Sequence, residues 1–420
     1  LLIKIRYTRE TKYLGVGVTG GGRRPARTQR TRTANTKERV NRVAKLTRIT
    51  KKSRPLYKTG VQPAQHYGIL SQGASPSALR FFRSQAGKCS GFKMGYCGRS
   101  ACILAHGPDG DPCETIPVDH LYMWFKVWND LEPKYTDKVE RHWADQVLDF
   151  QRNGPCWKTT KGIMKATINV LMERGWQPET PRMWVDPEQR RWPVVTKSEQ
   201  LAMVKNFRRI LALWLWGEAA AQHPMRLGCE EGIDLHVARK LLATYRKADR
   251  PEDAGMLETI LVGAVWTEDR RYRAGYRTDP ICRLCGQAAD TEMHRYLECP
   301  ALQRRFREDE PIKWSQYMAR GALASWQSCP IFFTRGCVPT KWTRREPIPE
   351  LTTTYITGES TRYNRDYYTD GSGGKHGRDK RMRACGWAVV AITTELKTDD
   401  PLHPCMYRPV PTHALFGALG

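Results

Sequence analysis

The sequence lacks any hydrophobic run long enough to cross a lipid bilayer. Its longest apolar stretch is residues 210–216, whereas a membrane-spanning helix needs about 20 consecutive apolar residues. The chain does not open with the basic segment, apolar segment and cleavage site that make up a secretory signal. Its thirteen cysteines are odd in number and lack the spacing of a disulfide framework. These absences predict no membrane partner, a reducing environment and an intracellular location, in the nucleus or the cytoplasm.

Acidic residues are scarce relative to basic ones. The 420 residues carry 69 Lys and Arg against 43 Asp and Glu, which gives a net charge of +26 and a pI near 9.7. Such a balance favours a polyanionic partner: nucleic acid first, as RNA, DNA or an RNA–DNA hybrid, and a membrane surface second. Solvated charge without a partner is the alternative. The hydrophobic content of 40% and the fourteen Trp predict packed helical cores rather than disorder.

The charge imbalance is strongest in residues 23–58, where Glu38 is the single acid. Val40, Val43, Leu46 and Ile49 recur near helical spacing, which predicts an amphipathic helix with a basic outer face in the second half of this stretch. Cations at this density favour contacts to phosphates, and a solvated helix face is the alternative. The candidate contacts are Arg23, Arg24, Arg27, Arg30, Arg32, Arg39, Arg42, Lys45, Lys51 and Lys52.

A cluster of thiols and one imidazole has the spacing C-x2-C-x8-H-x4-C and is formed by Cys282, Cys285, His294 and Cys299. This ligand set suits a closed, tetrahedral, structural Zn²⁺ site better than Mg²⁺ or Ca²⁺. Gly286 can take the positive φ that a tight C-x2-C turn requires. Pro300 disfavours helical geometry at Cys299, so the chain can turn there toward His294. The alternative is three unrelated buried cysteines and a surface histidine.

Elsewhere the apolar periodicity predicts regular structure. Residues 1–19 alternate and predict a β-hairpin. Helical patterns cover residues 118–128, 143–150, 163–174, 200–221, 235–246 and 256–266. The cysteines interpreted as buried structural thiols are Cys89, Cys97, Cys102 and Cys113. A basic, aromatic segment leads into the Cys/His cluster, and its candidate nucleic-acid contacts, with a solvated connector as the alternative, are Arg270, Arg271 and Arg273.

The C-terminal residues have a β pattern. Proline-punctuated residues 306–350 are predicted to be a linker. Strands are predicted at residues 365–374, 384–393 and 413–419. Asp370 would project from the first of these strands beside small residues, which would leave room for a hydrated cation and a phosphate. A common Asp-Gly-Ser turn is the alternative reading of Asp370 and its neighbours.

Several of these features resemble the reverse transcriptases of non-LTR (LINE-like) retrotransposons. Tyr13-Leu14-Gly15-Val16 on a strand, the basic stretch and the L-Y-K-T-x-V-x-P-x-x-x-Y-G pattern of residues 56–68 resemble the end of the palm and the thumb. The Cys/His cluster resembles the CCHC element that follows the thumb. Thr-Asp-Gly-Ser at residues 369–372, followed by Gly-Trp-Ala-Val-Val at 386–390, resembles the opening of a type 1 ribonuclease H domain.

The resemblance implies a C-terminal fragment of a retroelement polyprotein. Its thumb-like region would grip template and primer, and the polymerase palm would lie upstream of Leu1. Asp370 would be the first of several carboxylates that hold two Mg²⁺ ions and hydrolyse the RNA of RNA–DNA hybrids. The others would follow Gly420, so this chain is expected to bind hybrids without cleaving them. A non-catalytic, basic, zinc-containing RNA- or DNA-binding protein is the alternative, and a decayed sequence without selected function is a weaker one.

The expected fold is mixed. It combines a mainly α-helical middle region, a small zinc-binding element and a truncated α+β ribonuclease H-like domain with antiparallel strands. The expected order is 1–80 for the palm end and thumb-like basic region, 81–275 for a helical connector, 276–305 for the CCHC zinc element, 306–350 for the linker and 351–420 for the ribonuclease H-like part.

Overall fold

A computed structural model describes residues 10–14, 16–92, 98–309 and 326–343, together with the backbone of four strands between residues 354 and 410. The chain divides into two compact units, Leu1–Pro339 and Thr340–Gly420. Helices dominate the described residues, and the sheets are small and antiparallel. The expected mixed, mainly helical fold is confirmed at that level. Among the described helices, none combines the length and the apolar character that crossing a bilayer requires.

The described chain begins with an antiparallel hairpin of β1 (Thr11–Tyr13) and β2 (Val16–Val18). The predicted single strand from Tyr13 to Val16 is wrong, because the chain reverses there and Leu14 takes a φ of +45°. Such a φ is uncommon for a residue with a side chain and is typical of a tight turn. Residues 1–9, the other run expected in the hairpin, lie outside the described residues.

Helix α1 (Arg27–Ile49) begins earlier than the apolar spacing predicted. Val40 and Val43 are buried as expected, but Leu46 and Ile49 are 44% and 82% exposed. The predicted apolar face is therefore wrong at its C-terminal end. A three-residue spacing falls short of the 3.6-residue turn and drifts by about 60° at each step, which puts Ile49 opposite Val40. The buried stripe consists of Thr36, Val40, Val43 and Thr47.

The chain continues with α2 (Gln62–His66), α3 (Pro76–Lys88), α4 (Gly98–His106), α5 (Pro112–Asn129), α6 (Thr136–Asn153), α7 (Gly162–Met172) and α8 (Lys197–Ala221). Helices α3 and α5 to α8 build the largest core. The patterns predicted at 118–128, 143–150, 163–174 and 200–221 coincide with α5 to α8 and are confirmed. Burial of large indole rings explains much of the Trp content, since this core contains Trp124, Trp143, Trp176 and Trp184.

A small antiparallel sheet between α7 and α8 was not predicted. Its strands are β3 (Gln177–Thr180), β4 (Met183–Val185) and β5 (Arg191–Pro193). Strands of three or four residues are too short to show an alternating pattern. Trp184 of β4 stacks on Phe125 and Trp143, with ring centroids 5.2 and 6.2 Å apart. The sheet therefore completes the helical core.

The remainder of the first unit contains β6 (Ile233–Asp234), α9 (His236–Lys247), α10 (Pro251–Leu261), α11 (Glu268–Arg273), α12 (Pro300–Asp309), α13 (Pro330–Arg335) and β7 (Val338–Pro339). Buried residues of α9, α10 and α13 meet the end of α8 in a second core. The predicted helices at 235–246 and 256–266 correspond to α9 and α10, although α10 begins and ends earlier. Strand β6 pairs with β7, and Cys329, Ile331 and Cys337 are buried. Part of the predicted linker therefore packs into the helical unit.

The second unit contains α14 (Thr340–Thr343) and an antiparallel sheet. The strands are β8 (Thr354–Tyr355), β9 (Asp366–Ser372), β10 (Cys385–Ile392) and β11 (Cys405–Val410), in the spatial order β8-β11-β10-β9. The strands predicted at 365–374 and 384–393 are confirmed as β9 and β10. The strand predicted at 413–419 lies outside the described residues, and β11 was not predicted.

The cysteines predicted to be structural are buried where they are described. Cys89, Cys102 and Cys113 are at most 4% exposed, and Cys97 lies outside the described residues. Burial raises the pKa of Cys89 and of Cys113 to about 12. Both side chains are therefore protonated, unreactive thiols at neutral pH.

Candidate metal centre and cationic groove

The four predicted metal ligands converge, with their ligand atoms all within 4.8 Å of one another. Sγ of Cys282 lies 3.9 Å from Sγ of Cys299, and Sγ of Cys285 lies 3.2 Å from Nε2 of His294. In a tetrahedral site, zinc–sulfur bonds of about 2.3 Å place two sulfurs about 3.8 Å apart, which is close to the distance between the Cys282 and Cys299 sulfurs. Cys285 is half-buried and the other three are buried. The cluster could therefore hold a metal ion.

A tight turn presents the first two thiols. The Gly286 N–H donates to the Cys282 carbonyl at 2.8 Å, and the Cys282 N–H donates to the Ala288 carbonyl at 2.8 Å. Gly286 has a φ of +66°, as predicted, in a region that glycine occupies at little cost. The turn thus aims both sulfurs toward the same point.

A π-helical turn, His294–Glu298, presents the other two ligands. The Cys299 N–H donates to the His294 carbonyl at 2.7 Å, five residues back, so the wider turn brings Cys299 round to His294. An α-helix would place residues five apart on different faces. Cys299 is extended, as the following proline predicted, and α12 begins at Pro300. Thr291 caps the turn, since its Oγ1 accepts from the His294 N–H at 3.0 Å.

The thiols differ in their electrostatic surroundings. The Gln287 backbone N–H, which donates to Sγ of Cys285 at 3.5 Å, is the leading cause that lowers the pKa of Cys285 to about 7. Burial raises the pKa of Cys299. A bound cation would favour the thiolate form of both side chains, because metal ligation by Cys requires the thiolate.

Asp290 connects the cluster to the helical unit. This carboxylate, only 1% exposed, accepts from the Glu268 N–H at 2.8 Å and so caps the N-terminus of α11. It also forms an ion pair with Arg295, which lies within the π-helical turn. One side chain therefore fixes α11 against the segment that carries His294 and Cys299.

The cations predicted beside the cluster all have acidic partners. The ion pairs are Arg270 with Glu292 at 3.5 Å, Arg271 with Glu268 at 2.9 Å and Arg273 with Asp269 at 3.0 Å. Nη1 of Arg270 also donates to the Gly263 and Val265 carbonyls. The charges of these three arginines are partly neutralised by contacts within the chain.

The cations of the N-terminal stretch fall into separate places. One cavity of about 630 Å³ is lined by Arg27, Arg32 and Arg39 together with Glu10. A second, of about 580 Å³, is lined by Lys51 and Lys52 together with Glu258. The third and largest of the three is lined by Arg23, Arg24 and Arg30. Arg42 and Lys45 are exposed and line none of these three. The first two cavities each contain a carboxylate, which competes with any incoming anion for the cations.

The largest of these three cavities, the α1–α3 groove, has a volume of about 1380 Å³ and lies among α1, α3 and residues 155–158. Its cations are Arg23, Arg24, Arg30, Lys37, Arg80, Lys88 and Lys158. No carboxylate is among the described residues that line it. This composition makes the groove a site of concentrated positive potential.

Six of the seven groove cations are free to contact a ligand. Arg24 is the exception, because its Nη2 donates to the Gly73 carbonyl at 2.5 Å and its side chain is partly buried. Burial lowers the pKa of Arg24. The other six are exposed, and none forms an ion pair or a side-chain hydrogen bond with any residue in the described part of the chain.

Sequence reasoning missed half of this groove. Arg80, Lys88 and Lys158 were not candidates, and neither was Phe81, which lies 42% exposed among them. A local signal was present, since Arg80 and Arg83 flank the two aromatic rings of Phe81 and Phe82. Such interleaving is typical of nucleic-acid contacts.

Asp370, the predicted catalytic and Mg²⁺-binding residue, lies on β9 opposite Ala388 of β10. Strand β9 is at one end of the described sheet order. Four other acids of the C-terminal residues, Asp379, Glu395, Asp399 and Asp400, lie outside the described residues. The structure thus places Asp370 on the expected strand.

Comparison of the chain with protein-family models, with curated proteins and with solved structures gives no match. Function is therefore inferred from two features of the molecule, the Cys/His cluster and the α1–α3 groove.

Proposed function

We propose that this protein binds nucleic acid through the sugar–phosphate backbone, without reading base sequence. The observation that carries the proposal is the α1–α3 groove, where six exposed cations converge without a carboxylate among them. Phosphates that bind such a site release condensed counterions, which drives sequence-independent association. A merely solvated helix face would instead direct its cations outward into water, away from a shared cavity.

We also propose that Zn²⁺ occupies the Cys/His cluster in a structural role. Three thiolates and an imidazole suit zinc, and four protein ligands leave no open coordination position for a substrate. Zinc would hold the C-x2-C turn against the π-helical turn. Asp290 would then transmit that order to the N-terminus of α11.

The order of features along the chain supports membership of a non-LTR retrotransposon polyprotein. A basic helical region, a CCHC cluster and a strand carrying Asp370 follow one another in the expected sequence. We propose that β9 to β11 belong to a ribonuclease H-like domain whose first Mg²⁺ ligand is Asp370. A single carboxylate binds Mg²⁺ weakly, so this chain would bind hybrids without cleaving them.

Fluorescence anisotropy with a short labelled RNA–DNA hybrid tests the proposed binding. Affinity should fall at least about tenfold between about 50 and about 200 mM salt, because several phosphate contacts displace counterions. Affinity that ignores ionic strength would contradict nucleic-acid binding of this kind. With Mg²⁺ added the hybrid should remain intact. Cleavage that disappears in Asp370→Asn would show that this chain is itself a hydrolase.

A further inference from the structure

We propose that the α1–α3 groove is a site for single-stranded nucleic acid, with a base stacked on the ring of Phe81. This rests on the proposed nucleic-acid binding and adds the form of the ligand. Four residues are most specific to the site: Arg80, Phe81, Lys88 and Lys158. They all lie outside residues 23–58, the basic stretch from which nucleic-acid binding was first predicted.

Cations line the groove from two helices and a loop. Arg30 and Lys37 are seven residues apart on α1, and Arg80 and Lys88 are eight apart on α3. At 1.5 Å per residue each pair spans roughly 10–12 Å along its helix axis. The Lys158 carbonyl accepts from the Arg24 N–H at 2.8 Å, which holds the 155–158 loop against the start of α1. The walls are therefore charged along their length, as a backbone-tracking channel requires.

Phe81 provides an apolar surface within this charged lining. It is 42% exposed, whereas the adjacent Phe82 is 3% exposed and belongs to the core. The two rings meet edge-to-face with centroids 5.8 Å apart, so Phe82 packs against Phe81 while 42% of Phe81 stays exposed. Trp157 also lines the groove, and its Nε1 donates to Glu173 at 2.5 Å, which fixes the indole. Exposed rings beside cations are the elements that stack bases and bind phosphates.

The groove suits a single strand better than a duplex or a small anion. In a duplex each base face is covered by its neighbours, so Phe81 could reach none, whereas a single strand exposes its bases. The volume exceeds the roughly 300–1,000 Å³ of small-molecule pockets, so it accommodates a segment of polymer.

The experiment uses the full chain purified with zinc. Fluorescein-labelled single-stranded RNA, single-stranded DNA, duplexes of the same sequences and vesicles of anionic phospholipid serve as probes. Phe81→Ala should weaken both single strands by about fivefold or more, as the loss of one base stack predicts, and should change duplex affinity less than twofold. The matched control is Tyr122→Ala on α5, an aromatic of similar exposure (45%) outside the groove, which should change neither.

Two further measurements distinguish stacking from loss of fold. Phe81→Trp should restore single-strand affinity, and Phe81→Leu, which keeps an apolar side chain without a π face, should not. A single strand containing 2-aminopurine should change its fluorescence on binding to the wild type and much less with Phe81→Leu.

Each outcome has a defined meaning. Equal losses for single strands and duplexes, full affinity with Phe81→Leu, or tighter binding to duplexes or to vesicles than to single strands would overturn the single-strand proposal. Duplex binding that persists in those cases leaves the proposed function standing. No salt-sensitive binding to any nucleic acid would overturn both.

Discussion

At the scale of single residues, burial decides which histidines can carry charge. His106 and His120 are 7% and 0% exposed, and burial lowers the pKa of each to about 4. Nε2 of His120 lies 3.2 Å from the Ile163 carbonyl, and the nearby Arg24 lowers its pKa further. An unfolded histidine titrates near pH 6.5. The unfolded chain therefore takes up these protons before the folded chain does.

The free energy of unfolding should consequently fall as pH drops from about 6.5 toward 4, and no such penalty exists above that window. For His120 alone, the loss between pH 7 and pH 5 is about 2 kcal/mol. Urea unfolding of His120→Gln, which keeps a donor for Ile163, should show a pH-dependent loss smaller by that amount. The exposed His142→Gln on α6 is the matched control and should follow the wild-type curve. Identical curves for all three proteins would contradict the account.

Residue-level prediction succeeded where the chemistry is local. The Cys/His cluster could be predicted because its ligands lie within a short stretch and their spacing carries the geometry. Arg80, Lys88 and Lys158 could not be paired with Arg30, because only the packing of α3 and the 155–158 loop against α1 places them in one cavity. Arg270 was predicted as a nucleic-acid contact, yet it pairs with Glu292 and donates to two backbone carbonyls.

At the scale of elements, long periodic segments were predictable and short ones were not. Helices α5 to α8 bury one face against a common core, so their apolar residues repeat with the helical period. Strands β6 and β7 have two residues each and pair across a long stretch of chain, so no local pattern marks them. In α1 the three-residue spacing overestimated the apolar face, since Ile49 had already rotated away from Val40.

The Cys/His cluster, with the zinc proposed for it, provides the prediction at this scale. Cys282→Ser should remove the single equivalent of tightly bound zinc, with at least about a hundredfold loss of affinity in chelator competition, since structural sites need all four ligands. The element should then become protease-sensitive near residues 282–299. Cys156→Ser, a substitution of a half-buried cysteine outside the cluster, is the matched control and should retain one zinc per chain. One equivalent of zinc in Cys282→Ser would contradict the assigned ligand set.

At the scale of the whole molecule, the placement of charge matters more than its sum. The net charge of +26 predicts attraction to polyanions but no site. Within the described residues, many arginines are engaged in ion pairs, such as Arg99 with Glu114 and Arg54 with Glu258. The α1–α3 groove differs because its cations converge and remain open. A concentrated site, rather than diffuse attraction, is what the structure adds to the composition.

The most direct measurement of this claim compares two triple variants that lose the same charge. The groove variant changes Arg30, Arg80 and Lys88 to Ala. The control variant changes Lys126, Lys138 and Lys240 to Ala, and these three lysines are exposed and line none of the cavities described. The slope of log affinity for single-stranded RNA against log salt is then determined for each. The groove variant should lose about 2 from the wild-type slope, at about 0.7 per phosphate contact, and the control should keep that slope. Equal slopes in the two variants would contradict a localised nucleic-acid site in the α1–α3 groove.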